Sequence, residues 1–340
     1  MVTEMNAVNE LDVSGEAALY EALRQMWHPV LYAGELEAGP KRVDLLDQQL
    51  VVVRLGGKLC AFPDLCVHRG TALSLGSVEN DELRCAYHGW TYGQDGVCTS
   101  IPAAHGTTIP RRARLRRYLV TEKLGLIWVC LDDHPLFDLP EYPQFDDSAF
   151  RILTIPAYDW KCSAARRIEN FVDLAHIAWV HDGVIGSRDH PEVPEHEVRR
   201  VGGELQMAAD MAEPPSIKTG QALSVHVTWR LFMPFSILWN QELPDGRDFG
   251  GFITCTPTGR KLTRTFTHRH LNYDVADDEL IGLESVITQA DRVIAESQRP
   301  EELPVDLTAE LHIRGADRIS IEYRKWLVEI KDASLAGRRE

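Results

Sequence analysis

The sequence holds no apolar run near the ~20 residues that a membrane-spanning helix requires. Its most apolar stretch, Leu124–Leu131, reads as a buried strand. It also lacks a basic-then-apolar leader, since it opens on the acidic MVTEMNAVNELD. Cysteine is sparse and odd in number, seven in 340 residues. That excludes a disulfide scaffold and predicts a reducing, cytoplasmic compartment. Positive charge is in deficit: 36 Lys and Arg against 51 Asp and Glu leave −15. So acidic a chain repels phosphate, which argues against nucleic-acid binding. No flavin or nucleotide fingerprint is evident.

What is present is an ordinary globular composition, 44% hydrophobic and 26% charged. At roughly 150 residues per domain the length predicts two domains. Up to about Leu131, with a core from about residue 27, the chain alternates turn signals and short β-rich runs. Gln49–Leu55 and Lys58–Phe62 flank Gly56-Gly57, a hairpin signal. Trp90–Tyr92, Leu119–Lys123 and Leu126–Leu131 extend a small antiparallel all-β domain. Residues 132–149 are acidic and carry Pro135, Pro140 and Pro143. They read as a linker, or as an ordered strap across the first domain. From Phe150 to the end the pattern is α+β, an antiparallel sheet between helices. Arg166–His181 has no Gly or Pro and reads as a helix. β-like runs follow at Leu223–Trp239, Phe249–Thr256 and Lys261–Leu271. Asp277-Asp278-Glu279 then opens a helix that runs to about Gln298, before Pro300.

Two constellations carry chemistry. The first is C-V-H-R-G at 66–70 with C-A-Y-H-G-W at 85–90. Cys66, His68, Cys85 and His88 are four soft or borderline metal ligands on two loops. Gly70 and Gly89 allow the tight turns that bring each loop to a metal centre. Such a set also suits tetrahedral zinc. Each loop, however, gives one Cys and one His, which suits a two-iron cluster with two thiolates on one iron and two imidazoles on the other. Cys60, Cys98, Cys130, Cys162 and Cys255 sit mostly in apolar runs and read as small buried hydrophobes.

The second constellation lies in Asn170–His181, N-F-V-D-L-A-H-I-A-W-V-H. Asp173 and His176 share a helical face at i, i+3. His176 and His181 are five apart, about 140° around a regular helix, so a helix end or a π-type bulge must lie between them to converge them. In the later helix Leu283, Ile287, Ala290 and Ile294 form an apolar stripe, with Asp291 on its border and Glu284 as the local rival. Two histidines and a carboxylate form a facial triad that leaves iron open to O₂ and substrate. Val172, Ile177 and Ile287, next to these residues, are candidate pocket wall or plain core. The run Leu231–Trp239 is a further wall candidate.

The motifs C-x-H-R-G…C-x-x-H-G-W and N-x-x-D-x-x-H-x₄-H resemble those of Rieske-type non-haem iron oxygenases, and the likeness covers nearly the whole chain. Val67, Arg69, Ala86 and Tyr87 replace the extra cysteines of quinol-oxidising Rieske proteins. The resemblance implies an N-terminal Rieske domain and a helix-grip-like catalytic domain. It implies a [2Fe–2S] cluster on Cys66, His68, Cys85 and His88, and mononuclear Fe(II) on His176, His181 and Asp291. It places Asn170 near the iron. Asp173 would bridge His176 to His88 of a neighbouring subunit, which makes a homotrimer ring part of catalysis. Electrons would come from a separate NAD(P)H-dependent reductase, directly or through a ferredoxin. The short chain resembles monooxygenases and O- or N-demethylases acting with O₂ on aromatic, heteroaromatic or polycyclic small molecules. The alternatives are a cis-dihydroxylating dioxygenase large subunit and a zinc-stabilised binding protein without redox chemistry. Arg111–Arg117 reads as a docking site for an acidic redox partner or as a solvated edge.

Overall fold

The computed structural model describes residues 15–212, 224–243 and 245–337. They divide into two compact units, Arg24–Leu139 and a larger one built from Pro140 onward together with the N-terminal residues through Leu23. Residues 15–23, placed in the first domain from sequence, thus belong to the second. There Leu19, Ala22 and Leu23 are buried, and Glu16 Oε1 accepts the Val305 N–H at 3.2 Å. The boundary after Leu139 also cuts the acidic segment 132–149 in two. Its second half straps onto the second unit rather than the first. Tyr142 is buried there, stacks on Phe252 at 5.5 Å and bonds through its hydroxyl to His270 Nδ1 at 2.9 Å.

The smaller unit is all β. Its strands are β1 (His28–Tyr32), β2 (Lys41–Leu45), β3 (Gln48–Leu55), β4 (Lys58–Pro63), β5 (Ser77–Glu79), β6 (Glu82–Arg84), β7 (Thr91–Tyr92), β8 (Cys98–Ser100), β9 (Leu119–Lys123) and β10 (Leu126–Cys130). They form antiparallel sheets β1-β10-β9, β2-β3-β4 and β5-β6-β7-β8. Gly56 and Gly57, both at positive φ, turn β3 into β4 as the dipeptide predicts. Strand β10 is buried at every residue, matching its unbroken apolar run. Val51, Val53, Phe62, Leu83, Tyr92 and Leu115 form the core beneath the two Cys/His loops.

The larger unit is a seven-stranded antiparallel sheet with helices. Its strands are β11 (Arg151–Trp160), β12 (Glu197–Val201), β13 (Glu204–Ala212), β14 (Ser224–Phe232), β15 (Ser236–Glu242), β16 (Asp248–Gly259) and β17 (Leu262–Leu271). Their order is β11-β17-β16-β15-β14-β13-β12. The helices that matter here are α1 (Ala164–Val172), α2 (Ile177–Val180), α3 (Asp277–Ser297) and α4 (Arg318–Gly337). Helix α1 packs on β16 and β17 and against α3 and α4. The run Leu223–Trp239 is not one strand but the hairpin β14–β15, turned at Met233–Phe235; Leu223 lies outside the described residues. Among the described residues no helix is long and apolar enough to cross a membrane.

Candidate functional site

In the smaller unit the two Cys/His loops are built alike. The Gly70 N–H returns to the Cys66 carbonyl at 2.8 Å, and the Gly89 N–H to that of Cys85 at 3.1 Å. Both glycines have positive φ, +71° and +69°, which an L side chain rarely adopts. Buried Asp64 ties the first loop down by accepting the Ser74 N–H and hydroxyl, each at 2.7 Å. Cys66 and Cys85 are buried, and the Tyr92 hydroxyl lies 3.1 Å from Cys66 Sγ. The His68 and His88 rings meet edge to face at 4.5 Å, and Trp90 stacks on His68 at 4.6 Å. His68 Nδ1 is buried without a partner, as a nitrogen meant for a metal would be. Burial, and Cys66 beside it, push the Cys85 thiol up, so a bound metal has to draw off its proton.

The metal choice follows from convergence. Among the described residues only His176, His181 and Asp291 bring three such donor atoms within 4.8 Å of one another. The Cys/His set pairs off instead: the Cys85 thiol hydrogen-bonds that of Cys66, and the His68 ring meets that of His88. A two-iron cluster needs that arrangement, and a single tetrahedral zinc does not.

In the larger unit the stretch read as one helix, Arg166–His181, is two. Ser163 caps α1 by accepting the Arg166 N–H at 3.2 Å. The helix ends at Asp173, where φ −71° and ψ 120° are extended. Asp173 Oδ1 then accepts the Ala175 N–H at 2.8 Å, a turn that restarts the chain into α2. This break is what lets residues five apart face one point. His176 Nε2 and His181 Nε2 lie 3.4 and 2.9 Å from Asp291 Oδ1. Asp173 Oδ2 stands 3.6 Å from His176 Nδ1, just beyond hydrogen-bond range. Asn170 Nδ2 is 3.5 Å from Asp291 Oδ1, and its own oxygen accepts from Arg167 at 3.1 Å.

Helix α3 presents a different face from the one its apolar stripe predicts. Leu283 and Ile294 are exposed, while Leu280, Glu284, Asp291 and Ala295 are buried. The inward side mixes Glu284 and Asp291 with apolar Leu280 and Ile287, and Leu283 also borders the cavity.

Charge is tightly managed around these three residues. Burial disfavours an imidazolium at His176, but Asp173 and Asp291 outweigh it and push the group up to about 9. Burial likewise disfavours a carboxylate at Asp291, yet His176, His181 and Arg167 hold it well below the usual range. Once a metal displaces the His176 proton, two imidazoles and an ionised carboxylate, nearly dry, are a donor set suited to a divalent iron.

Sequence reasoning missed Arg167. It is buried behind Asn170, donates to the Tyr158 hydroxyl at 2.9 Å and lies 4.4 Å over the Trp160 ring.

A cavity of about 190 Å³ reaches the three residues. Ile177 and Ile287 line it; Val172 is fully buried and does not. From the run Leu231–Trp239 only Trp239 reaches the cavity, while Leu231 is core. Glu284, the rival carboxylate, lines the same cavity in a buried ion pair with Arg269.

Residues 26–118 match the Rieske [2Fe-2S] domain family, and residues 160–333 match the vanillate O-demethylase oxygenase C-terminal domain family. The chain belongs to the Rieske oxygenases. Methylxanthine N1-demethylase NdmA of Pseudomonas putida is 35% identical over 93% of this chain and 92% of its own. The N3-demethylase NdmB of the same organism is 33% identical with the same coverage of both chains. The structure of NdmB superposes with a TM-score of 0.85 at 32% identity, over 94% of each chain. This Rieske oxygenase is thus an oxidoreductase that incorporates oxygen from O₂, with a [2Fe–2S] cluster and a mononuclear iron as its cofactors.

Proposed function

We propose that this oxygenase demethylates a small methylated heterocycle. The observation that carries the reading is the apolar cavity that ends on His176, His181 and Asp291. Its 190 Å³ exceeds the roughly 150 Å³ that accommodates a benzene ring. Cys66, His68, Cys85 and His88 would hold the cluster, and His176, His181 and Asp291 the iron. The iron supplies O₂ activation, and the cluster supplies electrons.

The protein's own part is positioning. Phe171, Ile177, Trp229, Trp239 and Ile287 surround a flat ring and exclude water. Asn170 and Arg167 hold Asp291 in place. The balance is R₂N–CH₃ + O₂ + 2 e⁻ + 2 H⁺ → R₂N–H + HCHO + H₂O. The methyl C–H becomes C–OH, and the hemiaminal so formed loses formaldehyde unaided. The electrons come from a separate reductase, directly or through a ferredoxin.

We also assign Asp173 as the bridge to His88 of a neighbouring subunit in a homotrimer. Its side chain is one-third exposed beside the nearly buried His176, so one face remains for a partner. Exposed Leu65, Val67 and Tyr87 rim the cluster loops and would pack in that contact. The exposed Arg111, Arg112, Arg114, Arg116 and Arg117 offer an acidic reductase or ferredoxin a landing strip.

The test is substrate-dependent O₂ uptake by holoenzyme with a reductase, scored for formaldehyde. One formaldehyde per O₂ supports demethylation. A cis-diol, or O₂ uptake without formaldehyde, overturns it.

A further inference from the structure

Resting on the reading of Asp291 as an iron ligand, we infer that Arg167 is a positioning residue of the iron site, and that its charge, carried through Asn170 to Asp291, biases the iron toward the ferrous state. Four arginines are buried among the described residues: Arg166, Arg167, Arg269 and Arg324. Three of them are balanced by carboxylates. Arg166 meets Glu310 at 2.6 Å, Arg324 meets Glu169 at 2.6 Å, and Arg269 meets Glu284. Arg167, 2% exposed, makes no ion pair among the described residues. Both of its hydrogen bonds end on neutral groups, Asn170 Oδ1 at 3.1 Å and the Tyr158 hydroxyl at 2.9 Å. Its Nε is buried with no partner among the described residues.

The rest of its surroundings is aromatic. The guanidinium carbon lies 4.4 Å over the Trp160 ring, 5.6 Å over Phe171 and 6.0 Å over Tyr158. Ring faces attract a cation but do not neutralise it. A guanidinium keeps its proton in a protein, so a whole positive charge stays behind the site. It also sets the amide. Arginine only donates, so Asn170 turns its oxygen toward Arg167 and its NH₂ toward Asp291 Oδ1, 3.5 Å away. The charge thus stands two contacts from the carboxylate that also faces His176 and His181.

An unpaired buried charge is costly, and an apolar side chain of similar volume would fill the space as well. What an apolar side chain cannot do is act on another charge. A cation near an iron opposes any further positive charge there, so it favours the ferrous over the ferric form. At an effective interior dielectric near 20, a unit charge at roughly 10 Å, the reach of two contacts and a side-chain amide, shifts that balance by about tenfold. For one electron, tenfold is about 59 mV.

The test is a redox titration of iron-loaded holoenzyme, read from the ferric EPR signal of the mononuclear site. Arg167→Gln stays polar toward Asn170 and Tyr158 but is neutral. Its midpoint should fall by about 59 mV, a tenfold shift toward ferric iron. Arg167→Lys keeps the charge and should stay within about threefold of the parent. The cluster midpoint, read from the same samples, should not move in either variant. If Arg167→Gln fails to fold, Arg167→Met/Tyr158→Phe removes the charge and a polar partner together and should show the same fall. A neutral variant whose midpoint matches the parent overturns the inference, whatever its melting temperature. So does an equal fall in Arg167→Lys, or an equal shift of the cluster, since each marks a structural effect. A neutral variant that takes up no mononuclear iron also overturns it, because Arg167 would then hold the metal and not tune it. Failure of the ligand reading shows separately, as full iron content in Asp291→Ala.

Discussion

His270 makes stability fall in mild acid by an amount that can be worked out. Its ring is fully buried on β17. Nε2 donates to Asn240 Oδ1 at 2.6 Å, which leaves Nδ1 to accept the Tyr142 hydroxyl at 2.9 Å. The neutral ring therefore satisfies both neighbours. Burial, aided by the adjacent Arg269 guanidinium, lowers the group to about 4, even with Asp248 Oδ1 at 3.8 Å. The unfolded chain takes up this proton near 6.5, so between pH 6.5 and 4 it binds more protons than the native state. Stability is then fully present above pH 6.5 and is lost as pH falls toward 4, by about 3 kcal/mol in all. From pH 7.5 to pH 5 the loss is about 2 kcal/mol, or roughly 4–8 °C in melting temperature for a unit of this size. His270→Gln keeps polar contacts and cannot titrate. It should melt lower at pH 7.5 but fall by about 4–8 °C less on going to pH 5. Other acid-sensitive groups, such as Glu310 held low by Arg166 and Arg324, are common to both proteins and cancel. Parallel melting curves against pH would refute the argument.

Three further outcomes test the metal sites. Cys66→Ser should lose the visible absorption of the cluster while the His176–His181–Asp291 site still takes up iron, as metal analysis would show. Asp291→Ala should do the reverse, losing one iron per chain and keeping the cluster spectrum. Asp173→Asn should keep both centres, yet slow turnover by about 100-fold when assayed with reductase, the size of effect that carboxylates beside metal ligands have. Full turnover in that variant would remove the bridging role.

The parts of the site that were legible in the sequence are those where a bond dictates both residue type and spacing. Thiolate and imidazole ligation leaves few options, so Cys66, His68, Cys85 and His88 stood out, each loop with its glycine. His176 and His181 were legible for the same reason. Their spacing even required the helix to break, and Asp173 breaks it. Strands followed their apolar runs where both faces are buried, as in β10. Strand β12 was not visible, because four of its five residues are exposed and no apolar alternation marks it, although Gly202-Gly203 turns it into β13.

Helix α3 shows why the cavity wall resisted reading. Periodicity finds the apolar face of a helix and assumes that it points inward. On α3 the inward positions include Glu284 and Asp291, and both line the cavity. Of the stripe, Leu283 and Ile287 line the cavity, while Ile294 lies exposed outside it. Arg269, Trp239 and Glu284 come from two strands and a helix, and no local pattern joins them. Only Gly250-Gly251 left a trace. Two glycines inside a strand weaken it unless something large sits across from them. Here that something is His270 and Arg269, whose side chains a Cβ at either glycine would strike. An unexplained glycine pair in a buried strand is therefore a pointer to bulky polar groups on the neighbouring strand, and here one of them, Arg269, lines the cavity while His270 faces Tyr142 on the other side.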